Sequence, residues 1–144
     1  MFLNYACYFK TPEKQLHPII DFTLAQKMVD GGFNCRLNRA PKKPVHSSLH
    51  TTLSMLEGIT EYEKNGYSYR LKELLEVKKS SIEFILCHQL FMSDRTGEII
   101  HPAFLKFPYP RRWKYDVLSA LDYFQYSRIV IYSFQEAHCV IRHG

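Results

Sequence analysis

The chain has 144 residues, of which 46% are hydrophobic and 23% charged, a composition typical of one globular domain rather than of a disordered chain. Its formal net charge of +5 is modest and its basic residues are dispersed, so the sequence offers no nucleic-acid-binding tract. No apolar stretch reaches the ~18 residues of a membrane helix, and the N-terminal residues lack the basic segment and cleavage site of a signal peptide. We therefore expect a cytoplasmic protein with no membrane span and no nucleic-acid partner.

The four cysteines stand singly, at Cys7, Cys35, Cys87 and Cys139, with no CxxC pair. This pattern predicts reduced, mostly buried thiols rather than a disulfide framework or a zinc ribbon.

Helical signals begin at the N-terminus, where residues 3–9 are apolar enough for the end of a helix. Thr11-Pro12-Glu13 then has a capping threonine with proline at the first helical position, but Pro18 lies further in, so we expect the regular helix to begin again near His17. Asp30-Gly31-Gly32 is predicted to end this helix, because these residues tolerate left-handed backbone.

A long basic loop follows over residues 29–45. Loops longer than ~12–15 residues without secondary structure are uncommon in compact domains and are usually functional or disordered. The next helix is predicted over residues 47–62, because apolar side chains there are spaced by three and four residues. Its inward face is Leu49, Thr52, Leu53, Leu56 and Ile59.

The second half of the chain repeats this order of elements. We expect a short connecting helix over about residues 68–79, then a new helix over about residues 80–91, because Ser80 and Glu83 have the spacing of a capping box. A second long loop covers residues 93–110.

A last pair of elements completes the chain. A helix is predicted over about residues 111–126, with Val117, Leu118, Leu121 and Phe124 facing inward. Residues 127–144 contain a β-branched run whose periodicity is ambiguous, and we assign them to helix.

Two short sequence words recur in the same order. IDFTL at residues 20–24 matches IEFIL at residues 82–86, and LSMLE at residues 53–57 matches LSALD at residues 118–122. Two matches at similar separations indicate an internal duplication.

The sequence thus predicts one all-α domain over residues 1–144, with helical-hairpin repeats at about residues 17–65 and 80–126. Repeats of this kind bury their apolar faces against each other, and roughly three or more are usually needed for a stable stack. With only two repeats we expect either self-association or a chain that is part of a longer product. The uncovered apolar ends are predicted near Leu3, Tyr5, Phe9, Ile129, Ile131 and Phe134.

Three segments carry a resemblance to a known family: DGGFNC at residues 30–35, HSSLHTTLSMLEGI at residues 46–59, and LFMSDRTGEIIHPAFLKFPYPRRWKYDVLSALDYF at residues 90–124. Over about residues 17–126 the chain resembles an uncharacterised bacterial group with the α/α-toroid fold of the terpenoid (squalene) cyclases and protein prenyltransferases. The DxDD motif of the cyclases and the zinc motifs of the prenyltransferases are not matched.

The resemblance implies a partial α/α toroid that binds or converts an isoprenoid or another apolar ligand. The alternative, from a different functional class, is a non-catalytic helical-repeat scaffold that binds a protein partner. In a toroid, a lumen lined by His50, Glu57, Tyr115 and Asp116 favours the small ligand, whereas a flat apolar face favours the partner.

Two histidines, His46 and His50, have the spacing of a two-histidine metal site, because residues four apart are neighbours on a helix. Cys35 or Glu57 is a candidate third ligand for a divalent metal. Alternatively, His46 caps the helix and His50 makes a hydrogen bond within a packed interface.

Acidic residues supply the acid–base candidates. Asp30 and Asp94 follow equivalent helices and are candidates for acids or bases at the same mouth, although capping and turn formation also explain aspartates there. The candidate catalytic residues are His50, Glu57, Asp94 and Asp116.

Arginines from both long loops lie at one end of a toroid, where the resemblance implies that they converge on a phosphate or diphosphate, with aromatic rings nearby for an apolar chain. The alternatives are scattered surface arginines and aromatic residues that pack in the core. The candidate substrate-binding residues are Arg36, Arg95, Arg111, Arg112, Trp113 and Tyr115.

Overall fold

The computed structural model describes residues 2–35, 44–107 and 114–128. Within these ranges the fold is all-α, which confirms the predicted class, and it contains no β-strand. Its helices are α1 (Phe2–Tyr8), α2 (Glu13–Ala25), α3 (Leu49–Lys64), α4 (Leu71–Cys87) and α5 (Val117–Tyr126), with a 3₁₀ helix at Pro102–Leu105. No helix in the described part of the chain is both long and apolar enough to cross a lipid bilayer.

Helix α3 is central and packs against α1, α4 and α5. It begins where Ser48 accepts a hydrogen bond from the Thr51 amide at 3.1 Å, and its predicted inward face is confirmed as buried. Gly58 lets α1 approach closely, because a Cβ atom there would lie 3.2 Å from Leu3 Cβ. The core continues on both sides of α3, with Leu16, Ile20, Phe33 and Leu74 on one side and Phe84, Ile85, Tyr123 and Phe124 on the other.

Helix α2 begins at Glu13 and runs through Pro18, so the expected restart near His17 is wrong. A proline removes one amide donor without ending a helix that the rest of the structure holds in place. The Glu13 carboxylate accepts hydrogen bonds from the amides of Tyr69 and Ser68, and these bonds hold the pKa of Glu13 below its usual value. The start of α2 is thereby tied to the turn before α4.

The Asp30-Gly31-Gly32 turn does not itself end α2, which stops at Ala25. The left-handed backbone that was predicted there is present, since Gly31 has a φ of +93°. The Gly31 carbonyl accepts hydrogen bonds from the hydroxyls of Ser80 (3.2 Å) and Ser81 (3.0 Å) on α4.

Helix α4 is continuous from Leu71 to Cys87, so the predicted helix start at Ser80 is wrong. The Ser80 hydroxyl also bonds the Val77 carbonyl at 3.0 Å within the helix. Serine satisfies its hydroxyl in this way in a helix interior, and the capping-box spacing therefore does not mark a start here.

Helix α5 begins at Val117 rather than near residue 111, because residues 114–116 are not helical. Two residues of its predicted inward face are partly exposed, Leu118 by 49% and Leu121 by 42%. The buried face instead contains Tyr123, whose hydroxyl shares a 3.0 Å hydrogen bond with Thr60 of α3. This bond and the packing of Phe124 fix the rotation of α5.

The second long loop has local structure, with a bridge between Met92 and Ile99 in addition to the 3₁₀ helix. Segments 36–43, 108–113 and 129–144 lie outside the described residues, and so does the helix assigned to the C-terminal stretch. The toroid, the duplication and the repeat boundaries stay predictions.

The predicted uncovered ends are partly present. Tyr5 and Phe9 are 58% and 75% exposed, but Leu3 is buried against α3, so its assignment to an uncovered end is wrong. Ile129, Ile131 and Phe134 lie outside the described residues.

The cysteines differ from one another in burial. Cys7 is a buried free thiol, as expected, and burial raises its pKa to about 11. Cys35 is exposed, contrary to expectation, and Cys87 is half-buried. Cys139 lies outside the described residues.

Candidate functional site

A cleft of about 380 Å³ lies between the start of α3, the C-terminal end of α4 and the turn that follows α4. Ligand sites in proteins usually measure about 300–1,000 Å³, so this volume suits a small molecule. We call this space the loop cleft. It is lined by Asp30, His46, Ser47, Phe84, Cys87, His88, Asp94 and Arg95.

The first wall of the loop cleft is held by Asp30. One carboxylate oxygen accepts a 2.7 Å hydrogen bond from the Ser47 amide, and the other accepts a short hydrogen bond from the Ser47 hydroxyl. Gly32 packs beneath, where a Cβ atom would lie 2.8 Å from Ser47 Cβ. Both oxygens of Asp30 are therefore engaged in holding the residues that precede α3.

His46 and Arg95 face each other across the rim. Arg95 Nη2 donates to His46 Nε2 at 2.5 Å, and an imidazole that accepts at Nε2 carries its hydrogen on Nδ1. Arg95 forms no ion pair with any residue in the described part of the chain. Its guanidinium has further N–H donors beyond the one that His46 accepts.

His88 and Asp94 form the second wall. His88 Nδ1 is 2.8 Å from the Phe84 carbonyl, and its ring packs on the Phe84 ring at 4.3 Å between centroids. Its other nitrogen, Nε2, lies 3.5 Å from Asp94 Oδ1. The side chains of Phe84 and Cys87 give this wall its apolar part.

The turn that carries Asp94 and Arg95 is fixed by backbone hydrogen bonds. The Ser93 amide donates to the Glu98 carbonyl at 2.8 Å, and the Gly97 amide donates to the Ser93 carbonyl at 2.9 Å. The turn therefore presents both side chains from a defined backbone rather than from an open loop.

The structure brings some of the candidate residues together and separates others. His46, Asp94 and Arg95 line the loop cleft, and Asp30 lies there with Asp94. His50, Glu57, Tyr115 and Asp116 are not among its lining residues. Arg36, Arg111, Arg112 and Trp113 lie outside the described residues.

His50, Tyr115 and Asp116 lie where α5 begins. The Tyr115 amide donates to His50 Nδ1 at 3.1 Å, and the Tyr115 hydroxyl donates to the Leu90 carbonyl at 2.7 Å. Burial, and then the nearby Asp116 carboxylate, raise the pKa of Tyr115. Asp116 is itself buried and caps α5, so these groups join α3 to α5.

Glu57 lies elsewhere, in a shallower groove between α1, α3 and α5 that it lines with Asn4, Glu61, Asp122, Tyr123 and Tyr126. It is thus separated from the acid–base candidate Asp94.

The candidate metal site is not assembled among the described residues. His46 precedes α3, which begins at Leu49, so His46 and His50 are not one helical turn apart on a single helix. His46 instead accepts a hydrogen bond from Arg95, and His50 accepts one from the Tyr115 amide. Across residues 2–35, 44–107 and 114–128, no three histidine, cysteine or acidic residues are grouped to hold a metal ion.

Sequence reasoning missed four lining residues, Ser47, Phe84, Cys87 and His88. Ser47 was placed inside a helix, and His88 was placed within a helix predicted to reach residue 91. A histidine that caps a helix end just before a second long loop was the available signal, because such ends are where side chains meet a neighbouring loop.

The chain matches no known protein family, no curated protein and no solved structure.

The His50 contact makes stability depend on pH. Burial lowers the pKa of His50 below its ordinary value of 6.5, whereas the unfolded chain binds the proton at the ordinary value. His50 should not lower the free energy of unfolding above pH 6.5, and this free energy should fall as the pH drops below that value. In urea unfolding at a series of pH values, His50→Gln, which keeps an acceptor but does not titrate, should show a smaller fall. An equal fall in both proteins would contradict this role for His50.

Proposed function

We propose that this chain is a small-molecule-binding protein of the toroid type, and that its loop cleft binds an isoprenoid phosphate or a similar apolar molecule with an anionic head. The observation that carries the proposal is that the Arg95 guanidinium has no carboxylate partner among the described residues. This guanidinium borders the cleft and donates to the imidazole of His46 rather than to a carboxylate. Arginine in such a setting suits a phosphate, which accepts two parallel hydrogen bonds from its planar fork.

The two aspartates of the cleft do not remove this anion site. Asp30 is held by two hydrogen bonds from Ser47, and Asp94 faces His88 rather than Arg95. The charge that remains without an acidic partner in the described lining is that of Arg95.

The opposite wall supplies an apolar surface for the rest of the ligand. Phe84 and Cys87 lie next to each other on the last turn of α4, and the Phe84 ring contacts the His88 ring in a tilted arrangement. The volume of about 380 Å³ lies at the lower end of the range for ligand sites, which favours a short isoprenoid chain. Binding both parts of the ligand is what an amphiphilic molecule requires.

Ligand-induced stabilisation tests this function. Geranyl diphosphate should raise the melting temperature of the wild type, whereas geraniol, which has no anion, and inorganic diphosphate, which has no apolar chain, should have smaller effects. In Arg95→Ala we expect the affinity for geranyl diphosphate to fall about tenfold or more, because a hydrogen bond to a charged group contributes ~1.5–3 kcal/mol. Lys72→Ala removes an exposed positive charge on α4 away from the cleft and is the matched control.

The alternative function gives a different result in the same experiment. α1 and the residue after it expose four aromatic side chains, Phe2, Tyr5, Tyr8 and Phe9, each more than half accessible. Such a surface favours a protein partner or self-association. If the chain is a scaffold, no prenyl compound should stabilise it, and light scattering should show a species larger than the monomer.

A further inference from the structure

We propose that His88 and Asp94 together bind a hydrogen-bond donor of the ligand, a hydroxyl or a primary ammonium, so that the ligand carries this donor in addition to its anionic group. The inference rests on the proposed function, because it specifies a second group on the same ligand. It also gives a role to His88, which borders the cleft beside the apolar wall.

Contacts with Phe84 set the orientation of the His88 ring. Nδ1 lies 2.8 Å from the Phe84 carbonyl, which only accepts hydrogen bonds, so Nδ1 carries a hydrogen. The ring also packs on the Phe84 ring and is largely covered, with 13% of its side chain exposed. The ring is therefore held in one orientation, and Nε2 is the nitrogen left to face Asp94.

Across the loop cleft, His88 Nε2 faces Asp94 Oδ1. With the ring hydrogen on Nδ1, His88 Nε2 presents a lone pair, and Asp94 Oδ1 is also an acceptor. The two atoms are 3.5 Å apart, which exceeds the ~2.7–3.2 Å of a direct N–H···O hydrogen bond. An ammonium group placed beside them can donate one N–H to each acceptor, and a hydroxyl can share its single hydrogen between the two. Two acceptors at this separation thus define a site for one donor.

The titratable groups that surround His88 in the loop cleft are consistent with this donor site. Cys87 comes from α4, Asp30 and His46 come from the wall before α3, and Asp94 and Arg95 come from the turn after α4. Arg95 is directed to His46 and not to Asp94, so the donor side and the acceptor side of the cleft are separate. A ligand with an anion and a donor matches both sides, whereas a purely anionic ligand leaves the Asp94 side unmatched.

Two matched compounds test the proposal by calorimetric titration: isopentyl phosphate and the same phosphate with a hydroxyl on its branched carbon. For the wild type we expect the hydroxylated phosphate to bind about tenfold more tightly, which is the ratio that one hydrogen bond to a charged group provides. Asp94→Ala and His88→Phe should each show a clearly smaller preference for the hydroxylated phosphate, because each variant removes one of the two acceptors. Glu98→Ala, which removes an exposed acid from the same turn, should keep the wild-type ratio.

The outcomes separate this inference from the proposed function. Equal binding of both phosphates by the wild type overturns the donor site and leaves the anion site supported. Binding of neither phosphate overturns both. A ratio in Asp94→Ala as large as that of the wild type also overturns the donor site. This variant decides the matter even if His88→Phe does not fold, because Asp94 is exposed and its removal leaves the core intact.

Discussion

A Phe33→Ala variant should lose about 3–5 kcal/mol of unfolding free energy, the usual effect of removing a fully buried phenylalanine. Phe33 has no exposed surface and packs in the same core cluster as Leu16 and Ile20. Its backbone is bound as well, since its amide donates to Thr52 Oγ1 at 3.0 Å and its carbonyl accepts from the Ser48 amide at 2.8 Å. The residue thus anchors the segment that carries Asp30 to the start of α3.

This loss is a large part of the ~5–15 kcal/mol by which domains are usually stable, so the variant should unfold at much lower urea concentration. Equilibrium unfolding followed by circular dichroism measures the change. Phe22→Ala is the matched control, because Phe22 is 61% exposed on α2, and its loss should change stability by no more than about 0.5 kcal/mol. A loss below ~1 kcal/mol for Phe33→Ala would mean that this segment is not part of the core.

An Asp116→Ala variant should lose about 2 kcal/mol, the upper end of the range for helix caps. Asp116 is only 4% exposed, and its Oδ1 accepts hydrogen bonds from the Ser119 amide at 2.7 Å and the Ser119 hydroxyl at 2.8 Å. Alanine leaves both donors buried without an acceptor, which is more unfavourable than losing a cap that faces water.

Asp116→Asn distinguishes capping from acid–base chemistry at this residue. Asparagine is also a good cap and keeps an acceptor, so it should retain most of the stability that alanine loses. Thermal unfolding of the two variants, with Gln125→Ala on the exposed side of α5 as the control, measures the difference. If Asn and Ala lower the melting temperature equally, the cap is not what Asp116 contributes.

The two variants affect different sides of the molecule. Phe33 supports the wall of the loop cleft formed by Asp30 and Ser47, whereas Asp116 supports the junction of α3 and α5. Binding at the loop cleft should therefore be more sensitive to Phe33 than to Asp116 when each variant is studied under conditions where it is folded.

The sequence by itself determined the helical class and the inward face of α3. Leu49, Leu53 and Leu56 recur at helical spacing, and Ser48 precedes them with a side chain that caps a helix, so local periodicity and local hydrogen bonding are sufficient there. The left-handed backbone at Gly31 was predictable for the same reason, because only the residue and its immediate neighbours decide it.

The tertiary structure decided those features for which the local sequence pattern is compatible with two different structures. Ser80 has the spacing of a cap but lies within α4, where its hydroxyl binds the Val77 and Gly31 carbonyls. The rotation of α5 depends on the bond between Tyr123 and Thr60, which leaves Leu121 partly exposed although its apolar character predicted burial.

The loop cleft is a tertiary feature for a similar reason. Asp94 and Asp30 were predicted to share a mouth, because the sequence places both just after helices, but it does not specify what each side chain faces. The pairs Asp30 with Ser47, His46 with Arg95 and His88 with Asp94 depend on how α3 and α4 pack together. A hydrogen bond or ion pair forms only when the distance between its two atoms is correct to within a few tenths of an ångström. For segments far apart in the chain, only the packed core determines that distance.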